Sequence, residues 1–360
     1  MAEDLVVKEL RVRTVRIPIR DPLETGGGSF ASWPVVLLDL YTSAGIVGHA
    51  YLGCFRPFAL APLAQILHGF DESLTGMAVQ PRSLGRRLKA EARLVGVQGF
   101  VASAIALVEI AAWDVVAKAA NMPLAALLGA APTPLPVYKT ITSMDPAKAR
   151  HMAADAIDAG YGGVKLKLGA SAAKDLDLVR GVREVVGESF PIMGDYNQAL
   201  TVPEAIERIR RLDEERLTWI EEPTAADDID GHVSIASQVR TPLQLGESWT
   251  SVREAARNAR AGTSVYVMPD LVRIGGVSAW LEAATLAGVS GTPISAHAFI
   301  EVSAHLLPTC GNAHWLEHVG LVDPILADVV APSDGCYTAT DRPGLGIEWN
   351  EAAIARFAVS

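Results

Sequence analysis

Cysteine is scarce in this chain: Cys54, Cys310 and Cys336 are the only three in 360 residues, odd in number and far apart. They exclude a disulfide scaffold, offer no zinc-ligand spacing and suit a reducing compartment. Positive charge is in deficit as well, with 31 Lys+Arg against 41 Asp+Glu and a formal charge of -10. That balance argues against a nucleic-acid partner or a membrane surface, since both recruit basic faces. Long uncharged apolar runs are missing. The longest apolar stretch, Val101 to Leu128, is interrupted by Glu109, Asp114 and Lys118, which makes it a core-packed helix rather than a membrane span. The start, Met1-Ala2-Glu3-Asp4, has neither the basic end nor the apolar run of a secretory signal, so a cytoplasmic protein is expected. What remains is an ordinary globular composition, 50% hydrophobic and 20% charged, long enough for one large domain or a large and a small one.

Two textures divide the chain. In the first, apolar residues from Leu10 to Ile19 alternate with Arg11, Arg13 and Arg16 and change phase near Thr14, which predicts a strand with a bulge or bend. Trp33 to Tyr41 and Ile46 to Tyr51 read as two further strands joined by a turn at Ser43-Ala44-Gly45. Between the first two strands, Glu24-Thr25-Gly26-Gly27-Gly28-Ser29 reads as a mobile surface loop. Residues 57–129 read as mostly helical. This block, residues 1–130, is α+β in character.

The second texture, residues 131–330, repeats short apolar strands and amphipathic helices. Strands are expected near Val137, Val164, Pro191, Leu217, Pro242, Ser264, Pro293 and Ala313, mostly 20 to 27 residues apart. Eight such steps favour an α/β fold of the (β/α) barrel type over an open sheet. The tail, about 330–360, is turn-rich around Asp341-Arg342-Pro343-Gly344 and is expected to return to the first block.

A parallel barrel gathers its chemistry at the C-terminal ends of its strands. Those ends carry Lys165 and Lys167, Asp195 and Asn197, Glu221 and Glu222, Glu247, Asp270, His297 and Glu317. Any one acid after a strand is more often a helix cap or a solvated loop residue. Seven successive strands ending in ionisable groups, with both signs at one mouth, is not what caps produce. Lys165 and Lys167 share a strand face, as do Asp195 and Asn197, and two inward lysines need acids or an anionic ligand to balance them.

Asp195, Glu221 and Glu247 are hard oxygen donors on adjacent strands, a set that prefers Mg²⁺ to zinc, with Mn²⁺ as a substitute. Lys167 is a candidate base if Lys165 and the metal lower its pKa; a structural salt bridge is the plain alternative. His297 follows Asp270 by one strand, so a carboxylate–imidazole pair would fix its tautomer, against the plain alternative of a core histidine. Glu317 is a candidate neutral acid, donating to a developing oxyanion. His314-Trp-Leu-Glu-His318 matches a zinc-protease pattern, but that chemistry needs both histidines on one helix face and this segment reads as a strand. Gly26-Gly27-Gly28 lacks the following Gly-Lys-Ser/Thr of a phosphate loop.

Taken together these residues resemble the enolase superfamily, and within it the mandelate racemase subgroup. The resemblance rests on Lys165-Leu-Lys167, Asp195-Tyr-Asn197-Gln198, Trp219-Ile-Glu-Glu-Pro-Thr224, Gly246-Glu247, Met268-Pro-Asp270, Ile274-Gly-Gly-Val277, Ser303-Ala-His-Leu-Leu307 and Ala313-His-Trp-Leu-Glu317. It implies a modified TIM-type barrel under an α+β cap built from the first block and the chain end. It further implies a divalent ion on Asp195, Glu221 and Glu247 that holds a substrate carboxylate. Lys167 would remove the α-proton from one face and the His297–Asp270 dyad would serve the other. Lys165 and Glu317 would stabilise the enediolate, and Asn197 would contact the α-substituent. A homo-oligomer is implied too, although no residue run here marks an interface.

Departures from the family pattern fall in the pocket. The matching positions are Leu23, Gly27 and Phe30 near the glycine-rich segment, Phe55 where the family has tyrosine, Thr140 in place of serine and Ile141 in place of histidine. The expected activity is therefore racemisation or epimerisation of a 2-hydroxy acid with an apolar or aromatic substituent, favoured by Leu23, Phe30, Trp33 and Phe55. An acid-sugar dehydratase is the alternative, with Glu24, Thr140 and Thr142 serving a polyol. A catalytically silent barrel is disfavoured because the ligand and base set is complete.

Overall fold

The computed structural model describes residues 5–25 and 28–359. Val7–Thr25 (β1), Gly28–Thr42 (β2) and Val47–Gly53 (β3) form an antiparallel sheet in the order β1-β2-β3. The turn between β2 and β3 lies at residues 43–46, as the sequence predicts. The bulge predicted near Thr14 does not occur there: pairing runs unbroken from Leu10–Leu40 to Ile17–Trp33, and the register slips instead between Val7 and Glu9 and between Pro18 and Leu23. Val35 to Leu38 on β2 are all buried, so the sheet is covered on both faces. A change in which face of β1 is covered therefore imitates a change of phase. The expected mobile loop is also revised. Leu23–Phe30, Glu24–Ser29 and Thr25–Gly28 are paired as the end of a β1–β2 hairpin; Gly26 and Gly27 lie outside the described residues.

Helices Leu60–Leu74, Pro81–Glu91 and Phe100–Ala119 complete the N-terminal cap. The last is long and apolar enough, by length and composition, to cross a membrane. Every residue from Ala104 to Ala112 is buried inside the protein, so the core accounts for its hydrophobicity.

The barrel strands are Leu135–Ile141 (β4), Gly163–Lys167 (β5), Ile192–Asp195 (β6), Ile220–Glu221 (β7), Leu243–Leu245 (β8), Tyr266–Val267 (β9) and Leu316–His318 (β10). All neighbours from β4 to β9 are parallel, and β10 pairs with β4. The ring closes through Ile294, which bridges Val267 on one side and Ala313 on the other. Eight strand positions are thus present, the seventh reduced to isolated bridges such as Asp270–His297. Connecting helices start on sequence signals: Ser171 and Ser251 accept from Lys174 N and Glu254 N, and Thr201 with Glu204 forms a capping box.

The chain end returns to the cap. Trp349 Nε1 donates to Asp39 Oδ1 at 2.6 Å, Val359 N donates to Thr14 O at 3.0 Å, and Glu351–Phe357 is a helix against β1. Cys336–Tyr337 (β11) pairs antiparallel with β4 of the barrel rather than with the cap sheet.

Candidate active site

Parallel register brings the charged strand ends together. Lys167 stands opposite Asp195, and Asp195 opposite Glu221, across β5, β6 and β7. Glu247 follows β8 at Gly246, whose φ of +135° and approach to the Met268 backbone, 3.0 Å from where a Cβ would lie, leave room for no side chain. Asp195, Glu221 and Glu247 are buried and can each offer one oxygen such that all three lie within 4.8 Å of one another. An all-carboxylate, sulfur-free donor set of this size fits one hard divalent cation such as Mg²⁺.

Lys165, fully buried, is held by acids on three sides: Glu317 Oε1 at 2.7 Å, Glu221 at 3.0 Å and Asp195 Oδ2 at 3.7 Å. Burial works against its charge, but Glu221 and Glu317 prevail and hold its pKa well above the usual lysine value. Lys167 Nζ lies 2.5 Å from Asp195 Oδ2. Burial and Lys165 both act to lower the pKa of Lys167, yet Asp195 at that distance raises it. The lowering anticipated from the sequence therefore requires that the charge of Asp195 be engaged elsewhere. Glu221 is pushed well above the carboxylate range by burial and by Asp195.

Across the mouth, His297 Nδ1 meets Asp270 Oδ2 at 2.7 Å, the carboxylate–imidazole pair anticipated from their spacing. The other oxygen of Asp270 accepts from Val272 N and Arg273 N at 2.9 and 2.8 Å, which fixes the carboxylate. His297 Nε2 is 3.3 Å from Glu247 Oε2. Burial lowers the imidazole pKa, but Glu247 and Asp270 raise it above the ordinary histidine value. Glu317 departs from expectation. Burial alone would raise its pKa, but Lys165 and His297 bring it down to about 2, so it is a carboxylate rather than a neutral acid. Thr140 Oγ1 donates to it at 2.5 Å.

These groups floor a cavity of about 230 Å³ between barrel and cap. Lys167, Asn197, Glu247, Asp270, His297 and Glu317 reach its wall, while Lys165, Asp195 and Glu221 are absent from its lining and lie buried beneath. Asn197 Nδ2 donates to Asp195 Oδ2 at 3.1 Å, and its Oδ1 is buried without a partner. Leu23, Phe55 and Thr140 line the cavity as expected, but Phe30 does not. Its ring instead packs under the Arg56 guanidinium at 4.4 Å and against Phe55 at 6.2 Å. Gly27 lies outside the described residues.

Sequence reasoning missed Phe100, Phe299, Leu321, Val322 and Arg273, all of which line the cavity. Arg273 carried a signal, since it stands in the run from Asp270 to Val277; Phe100 opens the cap helix Phe100–Ala119, and Phe299, Leu321 and Val322 come from loops with no period to mark them. Glu24, considered for a polyol, is engaged otherwise. Its Oε2 accepts from Met144 N at 2.5 Å and Ser143 Oγ at 3.0 Å, clasping the β1–β2 hairpin to the barrel. His314, Glu317 and His318 have separate partners in Ser295, Lys165 and Tyr161, so the zinc-protease pattern is not assembled.

Fold and site together define a metal-dependent barrel enzyme with an α+β cap. Residues 7–129 match the mandelate racemase / muconate lactonizing enzyme N-terminal domain and residues 148–353 the enolase C-terminal domain-like family, so the chain belongs to the enolase superfamily, in its mandelate racemase subgroup. It is 36% identical over 263 residues to L-talarate/galactarate dehydratase of Salmonella typhimurium, a stretch spanning 72% of this chain and 66% of that enzyme. A Bradyrhizobium enolase solved with magnesium and mandelic acid superposes with a TM-score of 0.94 at 35% identity, covering 99% of each chain. The Salmonella dehydratase, solved with magnesium and L-lyxarohydroxamate, gives 0.92 at 28% identity over 98% of this chain and 92% of that one. Other relatives include an N-succinyl-L-Arg/Lys racemase and a hydrophobic dipeptide epimerase, so the reactions of this group span dehydration, racemisation and epimerisation.

Proposed function

We propose that the protein is a Mg²⁺-dependent racemase or epimerase of a 2-hydroxy acid bearing an apolar or aromatic substituent. The observation that carries this reading is the cavity wall: Leu23, Trp33, Phe55, Phe100, Phe299 and Leu321 surround the space above the bases. Every sugar hydroxyl placed there would need a partner, and an unpaired one costs about 1–3 kcal/mol. Of the residues the sequence offered to a polyol, Glu24 is engaged in the hairpin clasp and Thr140 with Glu317.

Asp195, Glu221 and Glu247 would hold the ion, which supplies a fixed positive charge for the substrate carboxylate and its enolic form. Lys167 takes the α-proton on one side, and His297, held by Asp270, takes or returns it on the other. Lys165 donates toward the charge that develops on the carboxylate oxygens. Glu317, ionised, holds Lys165 and Thr140 in place. The free Oδ1 of Asn197 is an acceptor suited to the α-hydroxyl.

A second reading, acid-sugar dehydration with the same ion and bases, is favoured by the identity to the Salmonella dehydratase. Incubation with Mg²⁺ in D₂O across 2-hydroxy acids that include mandelate and acid sugars separates them. Exchange with inversion on an aromatic or apolar acid supports the racemase. A 2-keto-3-deoxy product from a sugar acid replaces it with the dehydratase.

A further inference from the structure

A buried carboxylate in the cap reaches the barrel and takes no part in the chemistry described above. Glu109, on the cap helix Phe100–Ala119, is 3% exposed. Its Oε1 accepts from Ser278 N at 3.1 Å, from Ser278 Oγ, and from Trp113 Nε1 at 2.9 Å. Its Oε2 faces Gly276, where an added Cβ would come within 2.4 Å. Ser278 is in the first turn of the barrel helix Val277–Val289, whose own cap residue, Gly276, supplies no side-chain hydrogen bond. Glu109 therefore caps a barrel helix from the opposite domain; burial raises its pKa, and the hydrogen bonds from Ser278 and Trp113 oppose that rise.

That helix start is tied directly to Asp270. Gly276 N donates to Leu271 O, Gly275 N to Val272 O and Ile274 N to Asp270 O, so residues 270–276 form one continuous set of turns. Val272 N and Arg273 N hold Asp270 Oδ1, and Trp280 Nε1 returns from the helix to Pro269 O at 3.1 Å. The same turn carries Arg273, whose guanidinium donates to Glu247 O at 3.2 Å, whereas Lys167 sits on β5 with its ammonium against Asp195.

We propose that Glu109 is a positioning residue for one of the two bases: by capping Val277–Val289 across the domain boundary it fixes the turn that carries Asp270, and through Asp270 the orientation of His297. This rests on the two-base reading above for its kinetic consequence, but its structural consequence does not. The hydrogen-bonded Nδ1 proton of His297 should give a low-field NMR signal in the Mg²⁺-loaded enzyme. Glu109→Ala should broaden or lose that signal, while Glu109→Gln, which keeps an acceptor oxygen, retains it. Ser278→Ala, which leaves the backbone contact, should weaken it less and serves if Glu109→Ala does not fold.

Exchange in D₂O adds the kinetic test. In Glu109→Ala, exchange of the enantiomer deprotonated by His297 should fall about 10- to 100-fold, as expected for a misplaced base. Exchange of the enantiomer deprotonated by Lys167 should stay within about threefold. An unchanged low-field signal in Glu109→Ala and Ser278→Ala, or equal losses on both faces, would overturn the proposal. A signal that responds as expected in a protein that exchanges neither enantiomer of any acid would leave Glu109 in its role and remove the racemase reading instead.

Discussion

At the scale of single residues, the proposed mechanism divides the work between two lysines and a histidine by what surrounds them. Lys167→Ala and His297→Ala should each reduce turnover by about 10²- to 10⁴-fold, the range for loss of a general base. Calorimetric titration should show Mg²⁺ binding largely intact in both, because neither side chain is among the three acids. Near-native turnover in either variant would remove that residue from the mechanism. Lys165 should behave differently. Lys165→Met leaves Glu221 and Glu317 buried without their cation, so loss of activity should come with a loss of stability of about 3–5 kcal/mol, read from denaturant unfolding. That these ionisable residues gather was legible in the sequence because each ends or follows an apolar strand, and strand order alone carries them to one mouth. The charge state of Glu317 was not, since it depends on Lys165 at 2.7 Å and no sequence spacing encodes that distance. Phe30 was misplaced for a related reason: where a side chain points on a hairpin follows from register, and the slip between Pro18 and Leu23 changes it.

At the scale of elements, polar side chains tie the β1–β2 hairpin and the helix Ile300–Leu306 to their surroundings. Glu24→Ala removes the clasp to Met144 and Ser143, and should raise KM for the preferred acid several-fold. Thermal unfolding should move little, because Glu24 is partly exposed. An unchanged KM would mean that the hairpin holds its place without the clasp. His305, on the short helix, is fully buried; Ala125 N donates to its Nδ1 at 3.4 Å, and among the described residues its Nε2 has no hydrogen-bond partner. Burial brings its pKa down to about 4 from 6.5. Above pH 6.5 the ring is neutral folded or unfolded and contributes no pH dependence. As pH falls from 6.5 toward 4, the unfolded chain binds a proton that the folded protein refuses, and stability drops. Between pH 7 and 5 this amounts to about 2 kcal/mol, which urea titration of the protein and of His305→Gln should isolate as a difference in slope. The sequence showed the strands of both sheets by their apolar runs and turns. It could not show that the seventh barrel position is only bridged, because Pro293 to His297 has the composition of a full strand and its pairing depends on neighbours distant in the chain.

At the scale of the whole molecule, the ion and the fold should depend on each other. Burial and the neighbouring charge of Asp195 raise the pKa of Glu221 well above the carboxylate range, so its charged state is disfavoured until a cation balances it. Mg²⁺ binds the folded arrangement and not the unfolded chain, so at about 100 times its Kd it should add about 2.7 kcal/mol of stability. Chelation should abolish α-proton exchange and lower the unfolding temperature, and added Mg²⁺ should restore both. Calorimetric scans with and without the ion check this; equal unfolding temperatures would show that the three acids do not bind it.

Asp39 receives Arg13 from β1, His49 from β3 and Trp349 from the far end of the chain. During synthesis the cap strands precede the barrel, yet their partner Trp349 is made only after it. A nascent cap therefore waits, its central acid lacking the indole that completes it, while the whole barrel is translated. Closing so long a loop makes this contact a late event in folding and gives the two domains a common final step.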